Sequence, residues 1–260
     1  MRNRYIIMLA VAIMFVAGSA LADITWSQID TAVTDGDTLT VNQTLYVTPT
    51  RFAIVNDMGQ KIIVDGTAGT VTVTDSTNAS YFASTLQELE DLRKTVRAET
   101  EKILEDALIK LPADQREQYR AMLREKMDTA EKELSAVSSP AWEAFSDTGK
   151  TGTMLGKKVR CFSATDGGGE YSAWCTTDVE TGELDSFFST VESSTFFQNM
   201  QGQQLSLTRI GFPLKYVLKK PGEQFESVVT GIDRNTIPES VFEVPAGYSK
   251  QQVPGLNGDN

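Results

Sequence analysis

Between Ile24 and Tyr81 apolar and polar side chains alternate in short runs, among them Thr38-Leu39-Thr40-Val41, Leu45-Tyr46-Val47 and Val71-Thr72-Val73-Thr74. A period of two turns one side of each run toward a core and the other toward water. With the β-branched and aromatic enrichment, this predicts strands. Asp35-Gly36-Asp37, Asp57-Met58-Gly59 and Asp65-Gly66 through Gly69 interrupt the runs with turn-forming residues. Connections this short join antiparallel neighbours, because parallel strands need long crossovers. A meander is expected.

The period then changes. Residues 84–137 hold 13 acidic and 10 basic side chains in 54 positions and no glycine. Leu86, Leu89, Val96, Ile103, Leu104, Ala107, Leu108 and Leu111 recur at helical spacing. After Pro112 a second set follows: Tyr119, Met122, Leu123, Met127, Ala130, Leu134 and Val137. Proline ends one helix and opens the next, so a helical hairpin inserted at 84–139 is predicted. Interspersed charges such as Glu88, Asp91 and Arg93 read as solvated faces with i,i+4 support.

Strand character returns around Cys161 and Cys175. Ser186 to Met200 fits a short amphipathic helix, and Leu205–Ile210, Leu214–Leu218 and Phe225–Ile232 read as strands. Gly211-Phe212-Pro213 and Lys220-Pro221-Gly222 are expected to separate them. The polar tail 251–260 is expected to be flexible.

Residues 1–22 carry an address. Arg2 and Arg4 precede an apolar run from Tyr5 to Ala17, and Ala20-Leu21-Ala22 supplies an A-x-A cleavage site. This is the pattern of a secretory signal peptide, cleaved after Ala22. The 13-residue run falls short of the ~20 residues a spanning helix needs. The expected product is a soluble exported protein, a single domain over 23–250, in the periplasm and not integral to the membrane. It carries 22 basic and 35 acidic side chains, a charge of −13, of which the helical insertion holds −3.

Composition narrows the chemistry. The chain has no histidine, which removes Ser–His–Asp and Cys–His machinery and imidazole-ligated zinc. The acidic balance speaks against nucleic acid. Gly149-Lys150-Thr151 lacks the upstream glycine of a phosphate loop, since position 144 is alanine. Asp35-Gly36-Asp37 fails as a calcium loop at Leu39 and Tyr46. With no catalytic constellation, no cofactor and no metal set legible, the expectation is a binding protein and not an enzyme.

Cys161 and Cys175 each lie seven residues from Gly168. A hairpin centred there sets the cysteines opposite each other on one face, and Phe162 opposite Trp174 on the other. In an oxidising compartment that arrangement predicts a cross-strand disulfide. A redox-active or metal-binding pair would be expected at closer C-x-x-C spacing. Trp142, Phe162, Trp174, Phe187, Phe188, Phe196 and Phe197 are the candidate lining of an apolar pocket, with ordinary core packing as the competing reading.

Several stretches carry a resemblance: Leu45-Tyr46-Val47 with Arg51-Phe52; Lys61-Ile62-Ile63-Val64-Asp65; Thr148-Gly149-Lys150 leading into Gly156-Lys157-Lys158-Val159-Arg160-Cys161; and Val241-Phe242-Glu243-Val244-Pro245-Ala246-Gly247-Tyr248. Leu111-Pro112-Ala113-Asp114-Gln115-Arg116 looks like a central insertion of the same group. Together they resemble an uncharacterised periplasmic bacterial domain-of-unknown-function family, akin to the LolA and LppX type of lipoprotein-carrier half-barrel. The resemblance implies an α+β fold, mainly antiparallel β: a strongly curved half-barrel with helices on its concave face. It also implies a hydrophobic ligand, lipid or acyl chain. The alternative is an envelope protein that docks a protein partner through its charged hairpin.

Overall fold

The computed structural model describes residues 23–109, 112, 115–117, 119–122, 142–166, 168–191 and 207–252. Twelve strands form one sheet: β1 Ile24–Thr34, β2 Asp37–Val47, β3 Arg51–Asn56, β4 Gln60–Asp65, β5 Thr70–Asp75, β6 Ser80–Thr85, β7 Ser146–Met154, β8 Lys157–Asp166, β9 Gly169–Thr176, β10 Phe212–Lys220, β11 Glu223–Asp233 and β12 Ser249–Lys250. Their order is β12-β6-β5-β4-β3-β2-β1-β11-β10-β9-β8-β7. The sheet is therefore two meanders, β1–β6 and β7–β11, joined where β1 pairs antiparallel with β11. It is mostly antiparallel, curved and open, and only β12 runs parallel to its neighbour β6.

The predicted turns set the register. Asp35 and Gly36 both have positive φ, 52° and 93°, and close β1 onto β2 so that Thr34 faces Asp37. A two-residue turn of this kind matches the right-handed twist of the strands it joins. Its amide is held in turn by the neighbouring hairpin, the Asp35 N–H donating to the Gly222 carbonyl at 3.2 Å.

The helical insertion begins where the composition changed. Helix α1 spans Leu86–Ile109 and opens on a reciprocal cap. The Glu88 N–H donates to Thr85 Oγ1 at 3.0 Å, while the Thr85 N–H donates to Glu88 Oε2 at 2.7 Å. These two bonds satisfy donors that the first helical turn leaves without partners. The Thr85 amide, helped by the Ser84 hydroxyl, holds the Glu88 carboxyl below the usual carboxylate range. At the far end the Arg116 guanidinium donates to the Ile109 carbonyl at 2.8 Å, a cation at the negative end of the helix. The second helix of the predicted hairpin is represented by helical residues 115–117 and 119–122, and the rest of it lies outside the described residues.

Three expectations are corrected. The segment expected as a strand at Leu205–Ile210 contains a 3-10 turn at Leu207–Ile210. The aromatic helix expected over Ser186–Met200 begins earlier, at Gly182: α2 spans Gly182–Val191, and 192–200 fall outside the described residues. Pro213, expected in a break, lies inside β10 at a register shift opposite Cys175, a place where a strand tolerates a residue without an N–H. Gly211 before it has φ 127°, and a Cβ there would lie 2.8 Å from the Thr176 carbonyl oxygen. A side chain at 211 would push β10 off β9.

After β11 the chain returns along the β3–β6 half of the sheet as a strap. The Arg51 guanidinium makes a paired hydrogen bond to the Glu239 carboxylate and lies 4.3 Å from the Phe242 ring centroid. Lys61 Nζ donates to the carbonyls of Ser240 and Glu243, at 3.1 and 2.7 Å. Beyond, the Ser249 N–H donates to Ala79 and the Gln251 N–H to Tyr81, forming β12.

Thr85→Ala should cost about 1 kcal/mol, the usual value of a lost N-cap, seen as a lower urea midpoint that Thr85→Ser restores. The strap should be pH-dependent. Hydrogen bonding to Arg51 holds the Glu239 carboxyl below its ordinary value. Such a group stabilises the fold above the ordinary carboxylate range, and its contribution is lost as pH falls through the lowered value. Hydrogen exchange should show protection at Ser249 and Gln251 falling with acidification in the native chain. In Glu239→Gln it should be weaker already at neutral pH.

Candidate functional site

Cross-strand rows organise one face of the sheet. The first row runs Ile24, Val47, Phe52, Val64 and Val71, each fully buried. Two residues along each strand, the second row is Ile232, Trp26, Leu45, Ile54, Ile62 and Val73. Helix α2 covers this part. Phe187 stacks on Phe52 at 5.7 Å between ring centroids, with Phe188 edge-on to Phe187 at 5.7 Å. The helix is anchored by Glu183, 2 % exposed, which accepts from Arg234 Nη1 at 3.0 Å.

The third row on the same face is polar on β1, β2 and β3, with Gln28, Gln43 and Asn56, and apolar on β11, where Val229 faces Gln28. Side chains alternate strictly along a strand, so these residues point where Trp26 and Leu45 point. The fourth row is Val41, Asp30, Ser227, Tyr216, Ala173 and Phe162. The fifth is Leu39, Ala32, Phe225, Leu218, Tyr171 and Ala164. A polar seam thus crosses an otherwise apolar face. The large cluster lies under α2, and the row of Asp30 and Ser227 runs on into a smaller one built on Phe145, Ala164, Tyr171, Ala173, Cys175 and Tyr216.

The seam is internally bonded. Trp26 Nε1 donates to Gln28 Oε1 at 2.8 Å, and Gln28 Nε2 donates to both oxygens of Asp30, at 3.0 and 3.2 Å. Gln43 Nε2 also donates to Asp30, and Ser227 hydrogen-bonds it. Gln28, Gln43 and Ser227 are buried, while Asp30 is half-buried. Burial pushes the Asp30 carboxyl above its ordinary value, against the three hydrogen bonds that favour its ionised form. An amide ladder satisfies itself in an apolar setting only when each donor finds an acceptor. Here the ladder ends on a carboxylate at the boundary with water.

The structure corrects the cysteine pairing. Asp166 pairs with Gly169, so the β8–β9 connection holds two residues and the hairpin is not centred on Gly168 as expected. The register moves by one. Cys161 faces Trp174, Arg160 faces Cys175, and Phe162 faces Ala173. A one-residue shift exchanges the two faces of a strand, so the cysteines point to opposite sides of the sheet as buried free thiols. Burial pushes the Cys175 thiol up to about 12. The Cys161 carbonyl accepts from Thr148 Oγ1 at 2.8 Å, within the irregular start of β7.

The predicted aromatic lining is divided. Phe187, Phe188 and Trp174 belong to or pack on the large cluster, and Phe162 packs on the small one. Trp142 lies in a 3-10 turn, Trp142–Ala144, while Phe196 and Phe197 lie outside the described residues. The seam of Trp26, Gln28, Asp30 and Gln43 was not anticipated. Its signal was the alternation Ile24, Trp26, Gln28, Asp30, which carries polar residues onto the apolar face. Among the described residues no helix is long and apolar enough to cross a membrane, and no group of three metal-ligating side chains occurs.

The family described as "Domain of unknown function (DUF4412)" matches residues 74–248. No curated protein matches the sequence. Among solved structures, PNGF-II is similar at 10% identity and a TM-score of 0.38, covering 88% of this chain, which spans 31% of that one. A LolA superfamily protein from Nitrosomonas europaea is similar at 6% identity and a TM-score of 0.33, over 85% of this chain and 90% of its own. A DUF1329 family protein from Desulfovibrio piger is similar at 8% identity and a TM-score of 0.23, over 90% of this chain and 94% of its own.

The register makes a measurable statement about the thiols. Iodoacetamide at neutral pH should leave Cys175 unmodified in the native protein. After denaturation without reductant, intact mass should show two adducts. A denatured chain that takes none would establish the disulfide.

Proposed function

We propose that this chain, which belongs to the DUF4412 family, is an exported binding protein of the cell envelope. On this reading it holds the apolar part of a lipid or similar amphiphile and performs no bond chemistry. The observation that carries the reading is the fate of the fourth and fifth rows. Tyr216, Ala173, Tyr171 and Ala164 in these rows are buried in the smaller cluster, and the apolar side chains flanking them reach positions open to water. Leu39 is 57% exposed, and Val41, Ala32, Phe225, Leu218 and Phe162 are half-buried. Leucine and phenylalanine in a continuous, partly wetted row are the material of a ligand surface.

The energetics are those of apolar burial. Covering ~300 Å² of apolar surface is worth about 7 kcal/mol before the costs of ordering the ligand. No histidine or nucleophile is needed for that. The acyl chain would lie along the rows of β1, β2, β10 and β11, on the side of the seam away from α2.

A second reading is favoured by α1, whose Ile103 and Ile109 are 68% and 63% exposed. Such side chains on a charged helix suit a docking surface for an envelope partner.

One experiment addresses both. Protein secreted from cells should yield lipid on solvent extraction and mass spectrometry, and should take up a fluorescent fatty acid from buffer. Leu218→Lys should reduce uptake at least tenfold, whereas deletion of residues 86–139 should leave uptake intact. No extracted lipid and no uptake would overturn the ligand reading. Loss of partner capture in the deletion, with uptake absent throughout, would favour docking.

A further inference from the structure

The polar seam says which amphiphile fits, an inference that rests on the apolar-ligand reading and extends it to the head group. Asp30 stands in the row that begins the half-exposed apolar surface. Val41 flanks it on β2, and Tyr216 follows beyond Ser227 on β10. A chain lying along the Ala32 row would place its polar end beside this carboxyl.

The carboxyl is prepared to accept and is not yet charge-balanced. Its bonded partners, Gln28, Gln43 and Ser227, are all neutral. A carboxylate offers about four lone-pair positions, and these three groups occupy them, Gln28 reaching both oxygens; what they leave unmet is the charge. Neutral donors orient a buried carboxylate but do not neutralise it, and an uncompensated charge in a partly apolar setting is costly. Trp26 and Gln28 fix the ladder from the core side, so the acceptor is held in place before any ligand arrives. The formal net charge of −11 repels carboxylate and phosphate head groups and favours cations. Lys215, the cation nearest in sequence on β10, is committed to Glu226 at 2.9 Å on the opposite face, in the row of Ile29 and Val228.

We propose that Asp30, held by Gln28, Gln43 and Ser227, is the head-group acceptor of this surface, and that the site takes single-chain amphiphiles carrying an ammonium or amine. The added ion pair would lie at the mouth of the apolar rows, where an N–H⁺ donor can replace the longer of the two Gln28 contacts, at 3.2 Å, and supply the missing charge. Desolvation of Asp30 would then be offset by the ligand's charge.

The test compares dodecylamine with dodecanoate and dodecanol, each below its micelle concentration, by calorimetric titration of the full-length mature protein at neutral pH. Dodecylamine should bind at least tenfold tighter than dodecanoate, with dodecanol between them. In Asp30→Asn the preference for amine over carboxylate should fall to less than threefold. Equal binding of the three probes by the native protein would overturn the head-group assignment and leave the apolar-ligand reading standing. Preference unchanged in Asp30→Asn would do the same. No binding of any probe would overturn both. The comparison within the native protein needs no variant, so a poorly folding Asp30→Asn does not blunt it.

Discussion

Strand β1 lies between β2, its neighbour in the chain, and β11, which arrives from the other end: Thr230 Oγ1 donates to the Ser27 carbonyl across 203 residues. Every other pairing in the two meanders is between strands consecutive in sequence, and all but β9–β10, whose connection carries α2, can form as a local hairpin. Without the β1–β11 ladder there are two separate sheets, and neither has a complete face. The seam depends on it directly, because Asp30 is on β1 and Ser227 is on β11. Closing so long a loop costs entropy that the hairpins do not. The site is therefore assembled by the most demanding contact in the fold.

The irregularities near that junction shape the site. Register shifts occur between Ser27 and Gln28 on β1 and between Pro213 and Lys215 on β10. Bulges increase local twist and re-aim side chains. The β10–β11 register runs only from Lys215↔Val228 to Lys220↔Glu223. Before it, Phe212 meets Trp26 edge-to-face at 5.4 Å. The indole that starts the seam is thus packed by one side of the sheet and hydrogen-bonded toward the other.

Much of the fold was legible from local chemistry. The Asp-Gly turn and the alternating runs before Tyr81 are decided by residues close in sequence, and they fall where the pattern put them. What depended on a single residue of register was not legible. The hairpin around Gly168 is equally plausible with two or five loop residues until strand pairing chooses, and that choice moved Cys161 from Cys175 to Trp174. The seam escaped for a different reason. Gln28, Asp30 and Gln43 are the residue types of a wet face, and only their shared parity with Trp26 and Leu45 places them inward. The 3-10 turn at Leu207–Ile210 shows the same limit, since a short apolar run does not reveal its own period.

The two ends of the sheet are finished differently. At one, the strap tied down by Arg51 and Lys61 delivers Ser249 and Lys250 to β6 as a parallel strand. At the other, β7 carries two extra residues between Asp147 and Thr151, with Gly149 at φ 74° and exposed, polar side chains along its length. Unpaired strand edges are templates on which further chains can grow. A twelve-stranded sheet that terminates in its own tail on one side and in a kinked, hydrophilic strand on the other is built to stop growing, so a crowded compartment can hold many copies without their sheets merging end to end.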